Sequence, residues 1–325
     1  MWVQALRIIP RVSKKEWEAL DPIAKWLIAT RSAVLVMSIF SATVGALLAA
    51  DDGTFSWAKY ALCAVGLFLA HGTNNLLNDY TDSARGVDKD NYFRTQYGPQ
   101  TVEMGLWSKA KMRAVIAGTG LAALLCAYAL FLMTGTGILW LTLIGAFFVL
   151  FYTWPLKYIG LGEPTVLVVW GPLMVAGTYF AMTGVWSWRI AAIGAVYALG
   201  ATTVLFGKHT DKLVEDKKKR IHTLPVILGE PAARMSVIVM LIAQPILITW
   251  LVIAGWLEWP MLVTLFALPK ILQTVAVFNK KRPTTKPKDF PAEAWPTYLA
   301  GYAFLCNRQV GTLFTVGLVL SLFLK

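Results

Sequence analysis

The sequence predicts an all-α membrane protein that crosses the bilayer many times. Of its 325 residues, 57% are hydrophobic and only 15% are charged, and the mean hydropathy is +0.58. Soluble domains carry a larger charged fraction. Apolar runs of about 20 residues, enough helix to cross roughly 30 Å of hydrocarbon, recur along the chain. Helices are predicted rather than a barrel, because the runs lack long period-2 alternation and a helix satisfies its own backbone in lipid.

Nine apolar runs are predicted as transmembrane helices. In chain order they cover residues 26–50, 57–79, 110–133, 137–154, 164–183, 188–207, 234–255, 260–278 and 304–324. The first run follows a basic N-terminus, is full length and lacks a cleavage site, so we expect it to remain as the first transmembrane helix. Polar residues interrupt the start of the last run, at Asn307, Arg308 and Gln309.

The residues before the first run mix aromatic and aliphatic side chains with charge. The stretch SKKEWEALDPIAKW places Trp17, Leu20 and Ile23 between lysines and carboxylates. Such a mixture is typical of a helix that lies in the membrane interface. We therefore expect residues 1–25 to form a cytoplasmic interfacial segment with a structural role, and residues 26–325 to form a single transmembrane domain.

The distribution of basic residues predicts the orientation. Lys and Arg concentrate before the first run and in every second loop, whereas the other loops hold little beyond Lys59, Arg189 and Lys325. By the positive-inside rule, the N-terminus and the acid-rich loops 74–108 and 207–233 are cytoplasmic, as in a bacterial-type inner membrane. The net charge of +12 is thus a topology signal. Because it is spread over several loops, we expect membrane lipid and not nucleic acid as its partner.

The first acid-rich loop begins with NNLLNDYTDSARGVDKD, residues 74–90, at the end of an apolar run. Positions three or four apart on a helix share one face, and here they are Asn75, Asn78, Asp79 and Asp82. Gly86 lets the chain turn and brings Asp88 and Asp90 back toward that face. Crowded oxygen ligands suit a hard cation such as Mg²⁺, which usually also binds a substrate phosphate.

The second acid-rich loop, GKHTDKLVEDKKKRIHTLPVILGE, interleaves carboxylates with lysines. On a helix, Asp211 and Glu215 share a face at i and i+4, and Asp216 lies one position further round. The lysines that flank these acids are Lys208 and Lys212. This pattern favours a metal-bound, multiply charged anion, because the acids suit Mg²⁺ and the lysines suit phosphate oxygens. The alternative is a basic patch at residues 217–220 that attracts anionic lipid.

A third loop, YTWPLKYIGLGEP, places Tyr152 and Lys157 at the membrane surface. A role for Lys157 on the substrate and an ordinary snorkelling lysine are both open. The histidines form no zinc spacing. We expect His71 to be a polar packing residue, and His209 lies within the second acid-rich loop, where contact with a phosphate is one alternative.

Two acid-rich motifs at the ends of apolar helices resemble the UbiA superfamily of intramembrane prenyltransferases. NDYTDSARGVD, residues 78–88, is similar to the family's first motif, NDxxDxxxxxD. Residues 152–180 most resemble the branch that prenylates 1,4-dihydroxy-2-naphthoate, and TLPVILG, residues 223–229, is similar to the segment after the second motif. The resemblance covers roughly residues 25–325 and implies nine helices around a lipid-open cavity, capped by the two acidic loops.

The second motif departs from the family's pattern of an asparagine followed by DxxxD. Gly207 and Lys208 occupy the region of the asparagines, and the acids are spaced at four and five residues. Counted back from TLPV, Asp216 matches the motif's last aspartate, whereas Asp211 is one residue out of register. Arg220 stands where the family has a glycine.

The resemblance implies Mg²⁺-dependent transfer of an isoprenoid chain from its diphosphate to an aromatic, quinone-precursor-like acceptor. On that model the first ion is held by Asn78, Asp79, Asp82 and Asp88, and the second by Asp211, Glu215 and Asp216. Contacts to the diphosphate or acceptor are expected from Asn75, Asn78, Arg85, Tyr152, Lys157, Lys208, His209 and Lys212. Departure of the diphosphate would leave an allylic carbocation, which needs a dry pocket and aromatic faces. Candidate aromatic residues for that pocket are Trp140, Phe147, Phe148, Phe151, Trp170, Tyr179 and Phe180, most of which we expect to pack between helices or lie in the interfacial belts.

Two other functions stay open at this point. An enzyme of the same architecture that cyclises its isoprenoid diphosphate without an acceptor is favoured by the altered second motif. A transporter is the alternative from another class, but transporters place ionisable groups near the bilayer midplane, whereas these acids lie at helix ends.

Overall fold

The computed structural model describes residues 1–87, 98–292 and 294–324. Within these ranges the chain consists of helices and connecting loops and has no β-strand, which confirms the all-α prediction. The helices of the N-terminal half are α1 (Trp2–Arg7), α2 (Lys14–Ala19), α3 (Pro22–Ala29), α4 (Ser32–Asp51), α5 (Trp57–Ala84), α6 (Lys109–Thr134) and α7 (Gly137–Phe151). They are followed by α8 (Gly162–Thr183), α9 (Trp188–Asp211), α10 (Leu213–Lys218), α11 (Leu224–Leu228), α12 (Glu230–Ile253), α13 (Trp259–Phe278) and α14 (Tyr298–Ser321).

Seven of these helices, within the described ranges, are long and apolar enough to cross a membrane: α4, α6, α8, α9, α12, α13 and α14. The chain is therefore an integral, multi-pass membrane protein. Each of the nine predicted runs overlaps a helix, but two helices do not meet these criteria. Helix α7 has only 15 residues, about 22 Å of rise. Helix α5 has 28 residues, but its last turns carry the amides and carboxylates of the first acidic motif.

The first predicted run, 26–50, is not one helix. Helix α3 ends at Ala29, and α4 begins at Ser32. Between them Arg31 adopts a left-handed backbone conformation, with φ of 57°, which interrupts the helix. This break turns the Arg31 side chain into the bundle, where it becomes part of the site described below.

Helix α9 occupies the centre of the bundle and packs against α8, α12 and α14. Its approach to α8 is very close, since a Cβ at Gly171 would overlap the carbonyl of Gly194. Helix α8 widens to a π-helix over Val169–Ala176, a stretch that contains Pro172; π-helical turns of this kind often occur at functional sites. The close packing therefore holds α8 and α9, which both line the cavity described below, at a fixed separation.

The N-terminal segment packs on the bundle more closely than an interfacial helix requires. Helix α2 begins with a capping box between Ser13 and Glu16. Trp17 is only 2% exposed and meets Trp107 edge to face, with ring centroids 5.4 Å apart. Helix α1 packs against α3 and α4. The segment is thus part of the folded core at this end of the molecule.

Candidate active site

A cavity of about 990 Å³ runs through the bundle, and we call it the chamber. At the end that carries the acidic motifs its lining is polar and includes Arg31, Asn74, Asn75, Asn78, Tyr152 and Lys208. Further in, the lining is apolar and includes Leu62, Leu67, Leu130, Ile138, Leu141 and Met174. Asn75 and Leu62 both belong to α5 and lie about 20 Å apart along it. The chamber therefore offers a charged mouth and a long apolar interior.

Asp79 of the first motif is paired with Arg31. The two side chains are buried, and Nη2 of Arg31 lies 2.6 Å from Oδ1 of Asp79. The same nitrogen donates to the carbonyl of Asn75 at 3.2 Å, while the Asn75 amide donates to the carbonyl of Thr30 at 2.8 Å. Arg31 lies within the first predicted apolar run, 26–50, and is not among the site residues predicted from sequence. A signal was present, because a charged residue inside an apolar run requires a buried partner.

Asp82, one turn further along α5, is paired with Lys157. The Lys157 ammonium lies 2.9 and 3.0 Å from the two oxygens of Asp82 and donates to Oδ1 of Asn78 at 3.3 Å. Lys157 is only 3% exposed. A short 3-10 turn, Leu156–Ile159, carries it, and Gly160 closes this turn with φ of 80°. Lys157 therefore faces the first motif rather than the membrane surface.

Asp211 of the second motif caps the last helix. Its oxygens accept hydrogen bonds from the backbone N–H groups of Leu299 and Ala300 at 3.0 and 2.9 Å, and Nε of Arg282 donates to it at 3.0 Å. Gly207 makes this possible, because its Cα lies so near the α14 backbone that a Cβ would meet Ala300 N at 3.0 Å. Gly207, which stands where the resemblance leads us to expect an asparagine, is thus explained by the close approach of α9 to α14.

The prediction that Asp211 and Glu215 share one helical face is wrong. Helix α9 ends at Asp211, Lys212 is non-helical with φ of −114°, and α10 begins at Leu213. Asp216 is buried and paired with Lys212 at 2.9 Å, and its Oδ2 has no hydrogen-bond partner in the part of the chain that the structure describes. Glu215 is half-buried. The turn between the helices separates the three acids because it rotates the chain after Asp211.

His209 bonds to a carboxylate that the sequence analysis missed. Nδ1 of His209 lies 2.6 Å from Oε1 of Glu163, and both side chains are buried. The pair connects the end of α9 to the start of α8. Glu163 stood in the sequence at the edge of an apolar run, where an acid also requires a partner.

Of Arg85 and Tyr152, both predicted to contact the substrate, only Tyr152 lines the chamber. The Arg85 guanidinium lies over the rings of Trp154 and Tyr158, 5.3 and 5.0 Å from their centroids, whereas Tyr152 lines the chamber. Burial raises the pKa of Tyr158 to about 12, so its hydroxyl stays protonated. Arg85 is thus held beside the Lys157 turn by cation–π contacts.

Of the seven candidate aromatic residues, two line the chamber, which agrees with the expectation that most of them lie elsewhere. Phe148 and Trp170 line it, whereas Trp140 is 69% exposed on the outside of the bundle and Tyr179 donates to Asp52 at 2.6 Å. Trp170 meets His71 edge to face, with centroids 4.9 Å apart. The outward-facing residues also include Phe147 and Phe151. Phe180 packs against the residues that close the inner end, among them Leu130 and Ile138.

His71 lies on the chamber wall and not only within the packing of the bundle. Its Nδ1 is 2.9 Å from Oγ of Ser38. The hydrogen bond to Ser38 agrees with the expectation that His71 is a polar packing residue. That His71 also reaches the chamber could not be predicted from sequence.

The acidic residues offer oxygen donors, which fit a hard cation such as Mg²⁺. Across the described ranges, no three His, Cys, Asp or Glu side chains converge closely enough to hold an ion. Arg31 and Lys157 stand beside Asp79 and Asp82 instead, and Asp88 lies outside the described residues. The unpartnered Oδ2 of Asp216 is a further donor of the right type.

Comparison with known protein families places the chain by its sequence. Residues 38–296 match the model described as the UbiA prenyltransferase family. A UbiA prenyltransferase domain-containing protein from Danio rerio is 30% identical over 67% of this chain and 66% of its own length. The 1,4-dihydroxy-2-naphthoate octaprenyltransferase of Escherichia coli is 30% identical over 64% of this chain and 70% of its own. The chain thus spans slightly less than two thirds of the first of these relatives.

Solved structures agree with the fold. A UbiA homologue from Aeropyrum pernix is 19% identical, with a TM-score of 0.65 over 89% of this chain and 98% of its own. Another, from Archaeoglobus fulgidus and bound to GPP and Mg²⁺, is 15% identical, with a TM-score of 0.61 over 92% of this chain and 99% of its own. At such identities the likeness concerns the arrangement of helices.

Proposed function

Because the chain belongs to the UbiA prenyltransferase family, we propose that it transfers an isoprenoid chain from an allylic diphosphate to an aromatic acceptor inside the membrane, with Mg²⁺ as cofactor. The observation that carries the proposal is the buried group of Asp79, Asp82, Arg31 and Lys157 beside the polar mouth of an apolar chamber. Such a mouth suits a diphosphate, and such an interior suits a hydrocarbon chain.

The first motif is the proposed site of the metal and the diphosphate. Asp79 and Asp82, with Asn78 and Asp88, would hold Mg²⁺, which supplies charge neutralisation to the phosphate oxygens when bound. The sequence prediction of a second ion at Asp211, Glu215 and Asp216 stays a prediction. Asp216 has an oxygen available for that role, whereas Asp211 is committed to the start of α14.

The cations at the mouth would stabilise the leaving group. Arg31 and Lys157 would move from the carboxylates to the phosphate oxygens when those carboxylates bind metal, and Lys208 already lines the chamber. Stabilising negative charge as it develops on pyrophosphate is electrostatic catalysis, for which one contact contributes on the order of 2 to 4 kcal/mol to the barrier. Lys212, now paired with Asp216, would join them if that acid binds an ion.

The chamber walls would protect the allylic carbocation that departure of the diphosphate leaves. Apolar side chains keep water from the cation, and an aromatic face stabilises it through its π-system. Trp170 is the proposed aromatic contact, because it lines the chamber. We propose an aromatic, quinone-precursor-like acceptor, on the support of the similarity to a naphthoate prenyltransferase.

We further propose that the mouth opens to the cytoplasmic side, as the positive-inside rule predicts. A single cysteine introduced at Lys218, in a background without Cys63, Cys126 and Cys306, should react with a membrane-impermeant maleimide from that side. If the introduced cysteine reacts only from the opposite side, the proposed orientation is wrong.

The activity is tested with purified protein in lipid nanodiscs. It would be incubated with Mg²⁺ and allylic diphosphates of 10, 15 and 20 carbons, with and without a dihydroxynaphthoate acceptor, and products would be identified by mass spectrometry. We expect a prenylated acceptor, and no turnover after chelation of Mg²⁺. Absence of turnover of all three diphosphates, both with and without the acceptor, would contradict the proposal.

A second candidate is a terpene cyclase of the same architecture. The commitment of Asp211 to α14 favours it, because the second motif then differs from that of the transferases. A cyclic hydrocarbon or alcohol formed without acceptor would identify the cyclase.

A further inference from the structure

The N-terminal segment forms part of the chamber wall, although the sequence indicated only a structural role for it. Six of its residues line the chamber: Gln4, Arg7, Ile8, Ile9, Pro10 and Arg11. They belong to α1 and to the extended chain after it. The wall at the polar mouth therefore includes chain that precedes every transmembrane helix.

One end of this segment is attached beside the first acidic motif. The hydroxyl of Ser32 donates to the carbonyl of Ala5 at 2.9 Å, and both residues are buried. Ser32 follows directly after Arg31, the partner of Asp79. Arg7 is two residues beyond Ala5, no more than about 7 Å of backbone. Its long side chain can therefore reach the mouth of the chamber next to Arg31.

The other end is attached beside the second motif. Arg11 donates to the carbonyls of Trp295 and Ala292 at 3.2 and 3.4 Å. The next residue along, Pro296, accepts a hydrogen bond from Arg282, whose Nε also bonds to Asp211. The segment thus crosses the mouth from the neighbours of one acidic motif to the neighbours of the other.

In the described part of the chain, every charged side chain that lines the chamber is cationic. The charged residues that line the chamber are Arg7, Arg11, Arg31 and Lys208, and no Asp or Glu of the described ranges is among them. Arg7 is exposed and makes no hydrogen bond or ion pair within the described part of the chain. A guanidinium with its donors available, beside a site for a multiply charged anion, suits bidentate contact with phosphate.

We propose that Arg7 binds the diphosphate and that residues 2–11 close the polar mouth over it. This inference rests on the proposed function for its substrate. It differs from that function in assigning a phosphate contact to a segment outside the transmembrane domain. By covering the mouth, the segment also limits the access of water to the carbocation.

The decisive probe is inorganic pyrophosphate, which tests binding without any transfer reaction. Binding in the presence of Mg²⁺ would be measured by calorimetry on protein in nanodiscs. We expect Arg7→Gln to weaken it about tenfold, at the lower end for a charged hydrogen bond. Arg7→Lys should weaken it less, because a point charge remains but the fork is lost. The matched control is Lys15→Gln, an exposed cation outside the chamber lining, which should stay within about twofold.

The outcomes separate this inference from the proposed function. Wild-type affinity in both Arg7→Gln and Arg7→Lys overturns the role of Arg7, and so does an equal loss in Lys15→Gln. If Arg7→Gln does not fold, Arg7→Lys decides, because unchanged affinity there contradicts bidentate contact. If the wild-type protein binds pyrophosphate through Arg7 but turns over no allylic diphosphate, the proposed function fails and the binding role stands. If it does not bind pyrophosphate, the inference fails.

Discussion

The two acidic motifs hold their carboxylates in different ways. In the first, Asp79 and Asp82 are each paired with a cationic side chain from another element, Arg31 and Lys157. In the second, Asp211 accepts hydrogen bonds from backbone N–H groups at the start of α14. A side chain can rotate away when a metal and a phosphate bind, whereas a helix terminus cannot. The side-chain partners of the first motif can therefore exchange, as its proposed role in binding metal and diphosphate requires, whereas Asp211 holds α9 against the start of α14.

The largest expected effect concerns the first motif. Asp82→Asn keeps the shape of the side chain and one oxygen for Lys157 but removes the negative charge. We expect kcat to fall about a thousandfold, about 4 kcal/mol in barrier, because metal and diphosphate binding both depend on that charge. Turnover of an allylic diphosphate at saturating Mg²⁺ measures it. Asp52→Asn, which removes an acid paired with Arg189 outside the chamber lining, should retain activity within about threefold. Equal losses in the two variants would remove the metal assignment.

The next prediction concerns stability rather than turnover. Asp211→Ala removes two caps of α14 and leaves Arg282 without its buried partner, so we expect a loss of about 3 kcal/mol in the free energy of unfolding. Thermal unfolding in detergent measures this as a lower Tm. Asp289→Ala, an exposed acid in the loop before α14, serves as the control and should leave Tm unchanged. Full stability with abolished turnover in Asp211→Ala would show that both motifs hold metal alike.

A third variant tests the close approach that brings Asp211 to α14. Gly207→Ala places a Cβ against the backbone of Leu299 and Ala300, and we expect it to destabilise the protein by about 2 kcal/mol through overpacking. Gly118→Ala is the matched control, because a Cβ there meets nothing within 4 Å and alanine favours a helix. If the Gly207→Ala protein is as stable as the control, α9 and α14 can move apart with no loss in the free energy of unfolding.

The smallest expected effect is at Arg85, which lies beside the first motif but is exposed. Arg85→Gln loses the cation–π contacts to Trp154 and Tyr158, worth about 0.5 to 1 kcal/mol at an exposed site. We expect KM for the diphosphate to rise about two- to fivefold, with kcat unchanged. Steady-state kinetics measures both constants. A loss in kcat comparable to that of Asp82→Asn would indicate that Arg85 contacts the reacting group directly.

Much of the fold was predictable because lipid imposes simple rules on sequence. Runs of apolar residues predicted helices, and the structure confirms the all-α architecture within the described residues. The predicted count of nine is not, since seven described helices meet the length and apolarity of a span. The break at Arg31 was missed, because a residue in the left-handed region leaves no mark on hydropathy.

The acidic side chains were identified from sequence because spacing and ligand type are local properties. Asn78, Asp79 and Asp82 follow one another along α5, so helical periodicity alone places them on one face. The same rule failed across Asp211 and Glu215, because the helix ends between them. Local periodicity is informative only where the element continues.

The partners of those acids depended on tertiary structure. Arg31, Glu163 and Arg282 lie 48, 46 and 71 residues from Asp79, His209 and Asp211, and no local pattern connects residues so far apart. Which residues of the N-terminal segment border the chamber was also decided by packing, through single hydrogen bonds such as that from Ser32 to Ala5. Composition and periodicity therefore determined that the chain lies in lipid, that it is helical and that its acidic motifs offer oxygen donors. Burial determined which charges meet, because an ion inside the bundle must find its partner wherever the fold brings one.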